Sequence, residues 1–253
     1  MKKRGQVTIF IIIAIIIVVA GGLIFAFYPK ILAGLGLGVQ NPQSFIQNCL
    51  EKDIKDNVKI LSIQGGSVNP QNYILYNDEK IEYLCYTNEY YIPCVMQKPM
   101  LRSNIESEIQ NEIKEKVLEC FNSLEESYRK RGFEVALRRG ETTTELLPEE
   151  IRVSFNTSLV LRKGEDSDKY DLFRVVLNNN LYELVGVAES ILEWETTYGD
   201  SETTIYMNYY PNIKVEKKKQ SDGTTIYILS DRNTKNKFQF ASRSIAWPPG
   251  YGL

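Results

Sequence analysis

Four cysteines and the lack of any histidine set the chemistry open to this 253-residue chain. Cys49, Cys85, Cys94 and Cys120 are even in number, which in an oxidising compartment suggests two disulfides drawn from three connectivities. Cys49 and Cys120 each fall on the apolar stripe of an expected long helix, so packing of the stripes would bring the sulfurs together. Cys85 and Cys94 flank an expected hairpin tip. The favoured pairing is therefore 49–120 with 85–94, against two rival uses of the thiols: free cysteines in the core or a metal site. The metal site would need all four thiolates, and no C-x-x-C knuckle is present. Without histidine, serine triads and zinc hydrolase motifs are excluded. Carboxylate, lysine and tyrosine chemistry stay open, no cofactor or metal site is expected, and no catalytic residue stands out.

The remaining polar candidates read mostly as surface. Glu165, Asp166, Asp168 and Asp171 lack the glycine and terminal glutamate of a calcium loop and fit a solvated turn. Asn156-Thr157-Ser158 is a glycosylation sequon facing out of a strand over 151–161. Sixteen tyrosines, with pairs at Tyr90-Tyr91 and Tyr209-Tyr210, suit sheet packing better than an adhesive surface. The tail IAWPPGYGL reads as a polyproline ligand for a partner's groove, or as a cover for an edge of its own domain.

The elements that would carry these residues follow from periodicity. Asn41-Pro42 caps a helix with the stripe Phe45, Cys49, Leu50, Ile54, Val58 and Leu61, closed by Gly65-Gly66. A second long helix starts near Ser103 at a capping box and carries Ile105, Ile109, Ile113, Val117, Cys120, Phe121, Leu124 and Tyr128. Residues 80–95 form a short hairpin between them. Alternation then predicts strands over 151–161, 170–177, 205–210, 213–217, 224–229 and 237–241. A helix runs from Leu181 past Leu192, and Ser221-Asp222-Gly223 forms a hairpin turn. The seam between a helical and a mainly β part is placed at 141–150.

The N-terminal stretch MKKRGQVTIFIIIAIIIVVAGGLIFAFYPK carries no charge from Gly5 to Pro29. At 1.5 Å per residue, roughly 20 apolar residues match a hydrocarbon core of about 30 Å. Lys2, Lys3 and Arg4 before the span place the N-terminus in the cytoplasm and the remainder outside. The expected fold class is thus α+β. An N-terminal transmembrane helix is followed by an extracytoplasmic head of two long helices, a short hairpin and a mainly antiparallel sheet with one further helix. The expected parts are a cytoplasmic tail (1–6), a transmembrane helix (7–28), a linker (29–41), a helical disulfide-stapled subdomain (42–140) and a mainly β subdomain (141–253). Of 30 basic residues, four lie in the first thirty positions, leaving 26 against 32 acidic ones outside. That balance argues against nucleic acid as a partner.

The run Lys2-Lys3-Arg4-Gly5-Gln6 before the apolar stretch resembles the class III signal peptides of archaeal pilins and archaellins. The resemblance implies cleavage between Gly5 and Gln6 and a filament subunit. The sequence departs from that family at Phe10, where a glutamate is usual, and at Pro29 and the glycines that follow. The combination of GQVTIFIIIAIIIV, FIQNCLEKDIKDNVKILSIQGG, IESEIQNEIKEKVLECF and FQFA resembles a group of single-pass membrane proteins of DPANN archaea, which implies context and no activity. The leading expectation is a membrane-anchored structural or binding protein of the archaeal envelope, with membrane lipid and an envelope or surface protein as partners. A pilin-like filament subunit comes second. A surface hydrolase using two carboxyl groups comes third.

Overall fold

The computed structural model describes residues 41–246, and Ile46–Leu253 forms one compact unit. Four helices are present among the described residues: α1 (Pro42–Ile63), α2 (Leu101–Lys130), α3 (Leu181–Tyr198) and α4 (Thr204–Tyr209). None of them is long and apolar enough to cross a membrane. This corrects the expected fold class: the described fold is α+β with no membrane helix in it. The physical reason is patterning, since each long helix buries one stripe and carries a charged opposite face. The expected tail (1–6), span (7–28) and nearly all of the linker (29–41) lie outside the described residues, as do Gly5 and Gln6.

The buried apolar stripe of α1 is Ile46, Leu50, Ile54, Val58 and Leu61. Spacings of four and three residues keep them on one face. Phe45 and Cys49 stand at its margin, only half-buried. In α2 the buried stripe runs from Leu101 through Ile105, Ile109, Ile113, Val117, Cys120, Phe121 and Leu124 to Tyr128. The helix begins at Leu101, not Ser103, and Met100 caps it without a side-chain hydrogen bond. The expected capping box is not used. Glu106 and Glu108, on the flanks of the stripe, accept the backbone N–H groups of Leu146 and Val68 at 2.8 and 3.0 Å. They tie α2 to a strand and to the loop after α1.

The largest sheet runs β1 (Tyr73–Tyr76), β2 (Glu79–Tyr86), β12 (Lys237–Arg243), β11 (Thr224–Asp231), β10 (Ile213–Lys219), with β3 (Val95–Met96) paired to the end of β2. All its pairings are antiparallel except one: β12 lies parallel to β2, with Ala241 opposite Tyr83. β1 and β2 form a hairpin that the sequence reading missed. Its turn is Asn77-Asp78, with φ of 52° and 66°, the two left-handed residues that match the twist of a two-residue hairpin. Tyr227 and Leu229 of β11 face α3, and Ile226 and Ile228 belong to a second cluster with Ile81, Tyr83 and Ala241.

The other strands are β4 (Glu134–Arg138), β5 (Thr142–Leu147), β6 (Glu150–Phe155), β7 (Ser158–Lys163), β8 (Asp166–Tyr170) and β9 (Phe173–Asn178). They form two three-stranded sheets, β4-β7-β8 and β5-β6-β9. The pairing register shows these to be two ends of one meander of three long strands. Arg138 faces Ser158 and Thr142 faces Phe155, so one strand gains a residue over its partner between the two sheets. The extra residue is a bulge, which bends the strand and increases its twist. Gly140 sits in it, where an added Cβ would lie 1.9 Å from the Asn156 carbonyl oxygen. Only a glycine lets the two backbones approach so closely. Phe121 of α2 packs edge-on against Phe155 and Phe173 at 5.7 and 5.3 Å, joining the long helix to the meander.

Candidate functional site

The cysteines are the sequence-derived site residues that the fold brings together. Cys49 on α1 is bonded to Cys120 on α2 across a Cα separation of 6.0 Å. Cys85 on β2 is bonded to Cys94 just before β3, with Cα atoms 5.4 Å apart. The first bond staples the two long helices and the second closes the loop carrying Tyr90 and Tyr91. Asn156, exposed, lies at the bulge between β6 and β7 and not within a continuous strand, while Thr157 beside it is buried. The acidic residues 165–171 do not converge: among the described residues no group of three or more acidic or thiol side chains could hold a metal.

A second constellation was not singled out from sequence. Glu195 lies on the sheet-facing side of α3 at 1 % exposure, between two fully buried partners. The Tyr227 hydroxyl donates to one carboxyl oxygen and the Ser242 hydroxyl donates to the other at 2.8 Å. The Ser242 Oγ also lies 3.4 Å from Cys94 Sγ, which links the network to the second disulfide. Next to it, Lys217 of β10 pairs with Asp200, donates to the Ser201 carbonyl at 2.9 Å, and lies 5.9 Å from the centre of the Tyr227 ring. Burial pushes the Glu195 carboxyl above its ordinary value, against the two hydroxyl donors that favour its charged form. The Tyr227 hydroxyl is pushed up as well, by burial first and then by the neighbouring carboxylate. Glu195, Tyr227 and Ser242 could share a proton among themselves, but they are sealed between helix and sheet, and only the adjoining Lys217–Asp200 pair reaches the surface. Their chemistry is that of a satisfied buried network that fixes how α3 sits on β11 and β12.

The surface feature with binding chemistry is a groove of about 370 Å³ between α3 and α4. Ser190 and Trp194, one turn apart on α3, form one wall; Ile205, Tyr206 and Tyr209 of α4, with Tyr210, form the other. Glu202 lines the groove too, and its carboxylate accepts the Thr204 N–H at 2.8 Å, filling a free donor at the start of α4. Tyr206 and Ser190 touch through their hydroxyls at 3.2 Å. Trp194 packs on Tyr198 at 4.9 Å. Trp194 is 42 % exposed, Tyr209 78 % and Tyr210 51 %. No family model, curated protein or solved structure matches the chain.

The groove corrects two sequence expectations. Residues 205–210 were expected as a strand, but 205–209 lie in α4 and Tyr210 caps it; Tyr206 alone is buried, while Ile205, Tyr209 and Tyr210 are exposed. The residues are β-formers, but no neighbouring strand pairs with them, and propensity yields to context. The tyrosine pairs were expected in sheet packing. Both pairs lie outside the strands, with Tyr90 and Tyr91 64 % and 66 % exposed. The signal for Glu195 was present: it falls three residues after Leu192 and four after Ile191, on the buried stripe of α3.

Proposed function

We propose that the described unit is the head of an envelope protein: a structural or binding module displayed outside the cytoplasm, close to a membrane surface. The observation that carries this reading is the pair of disulfides, which closes sequence separations of 71 and 9 residues and uses every cysteine of the chain. Such bonds persist in oxidising compartments and are rare in a reducing cytosol. The apolar, basic-led sequence before residue 41 supplies the tether, and its likeness to archaeal envelope proteins supports the same context. The Glu195 network serves the fold, and the aromatic groove gives the head a surface for contacts.

The test is labelling of intact cells with a membrane-impermeant reductant followed by an impermeant maleimide. Labelling of the four cysteines in unbroken cells is expected. Thiols that react without reductant, and only after lysis, would place the head in the cytoplasm and defeat the reading. The filament-subunit reading rests on Lys2-Lys3-Arg4-Gly5-Gln6 and is separated by the mass of the mature protein. A new N-terminus at Gln6 supports it, and a retained Met1 or Lys2 removes it.

A further inference from the structure

We propose that the aromatic groove between α3 and α4 is the docking site for residues 247–253 of the same chain, Trp-Pro-Pro-Gly-Tyr-Gly-Leu. Those residues lie outside the described ones, and three observations point from the described chain to the groove.

The first is the exit point. Ser244, Ile245 and Ala246 follow β12 as a strapped segment. Ser244 Oγ accepts the Cys94 N–H at 3.2 Å, and the Ile245 carbonyl accepts the Tyr91 N–H at 2.6 Å. Ala246 then lies against Gly199, the left-handed residue (φ 75°) that caps α3, so closely that a Cβ there would stand 2.3 Å from the alanine Cβ. The chain is thus delivered to the C-terminal end of α3 and held there.

The second is reach. Ser190, Trp194 and Tyr198 are spaced by four residues and form one row on α3 that starts beside Gly199 and runs into the groove. That row covers about 12 Å of helix at 1.5 Å per residue. Seven residues in a polyproline conformation span about 22 Å. The segment is long enough to follow the row and cross the groove.

The third is chemistry. Adjacent prolines favour an extended helix of low entropy whose rings fit between flat aromatic side chains. The groove offers such side chains in Trp194, Tyr209 and Tyr210, all exposed in the described body. Trp247, Gly250 and Tyr251 supply N–H donors, and Glu202, Ser190 and the tyrosine hydroxyls supply acceptors around the rim.

The experiment compares the full chain with one ending at Ala246, which keeps every strand, using a fluorescent peptide of residues 245–253 as probe. The truncated chain is expected to bind the peptide. The full chain is expected to bind it about ten-fold more weakly or worse, because its own tail competes at high effective concentration. Tyr209→Ala in the truncated chain, and Pro248→Ala with Pro249→Ala in the peptide, should each weaken binding by about ten-fold. Equal binding to both chains, no binding to either, or indifference to Tyr209→Ala overturns the proposal. A full chain that dimerises through its tail while the truncated one is monomeric also overturns it, since the tail then serves a second copy. A second measurement covers a truncation that fails to fold. The chain's two tryptophans, Trp194 and Trp247, should become more open to acrylamide quenching when Pro248→Ala and Pro249→Ala are placed in the full chain. Unchanged quenching counts against docking.

Discussion

Glu195 continues the apolar stripe of α3, yet it is a carboxylic acid, and this conflict makes its effect on stability depend on pH. Burial raises its value in the folded state above the ordinary glutamate value of about 4.3. Folding therefore favours the protonated form. The stabilisation is fully present below the unfolded value and is lost as pH rises through the raised folded one. Glu195→Gln keeps the shape and removes the titration. The melting temperature of the variant minus that of the wild type should rise as pH increases from 4 towards neutrality, and a flat difference would argue against a titrating Glu195. The sequence made single residues legible when their type limited them to few roles. The cysteines had an even count and lay on helix stripes and hairpin flanks, and the structure joins 49 to 120 and 85 to 94. Tyrosine was harder to read, because it suits a buried strand and an exposed surface alike. Glu195 was missed because a lone acid near a helix end usually faces water.

Elements were legible where a period repeats often enough to average out local noise. The α2 stripe, eight turns long, could be read from Ile105 to Tyr128, whereas its start could not, since Met100 caps it with no side-chain signal. The short α4 has too few residues to show a period, and its β-formers pointed to a strand. The strands of the meander were partly legible: 151–161 alternates cleanly, but residues 134–147 do not announce β4 and β5. The stretch 141–150, read as a seam, holds β5 and its tight turn at Pro148-Glu149, with Glu149 at φ 62°. Gly140→Ala forces a Cβ against the Asn156 carbonyl, so the meander must shift. We expect a loss of about 3 kcal/mol in urea unfolding, and a loss below about 0.5 kcal/mol would show that the strands part easily there.

For the molecule as a whole, the disulfide between α1 and α2 constrains the unfolded chain most, because it closes the longer loop. Replacing Cys49 and Cys120 together with serine should cost about 4 kcal/mol on the chain-entropy model, against about 2.5 kcal/mol for Cys85 with Cys94. Chemical denaturation of the two double variants ranks them, and the reverse order would point to strain or structure in the unfolded state. The α+β mixture could be read from pattern, but not its order: β1 to β3 precede α2, and α3 and α4 follow the meander. The sheet order could not, because a parallel neighbour leaves no local mark in sequence. That pairing of β2 with β12 also governs timing. During synthesis β2 emerges early, but the strand that flanks it along Tyr83–Tyr86 is the last of the sheet, and β12 is also the only link between β2 and β11. Contacts so distant in sequence form late. The large sheet therefore cannot close until Arg243 has left the ribosome, and until then the β1–β2 hairpin stands apart from the β10–β11 hairpin that it will share a sheet with.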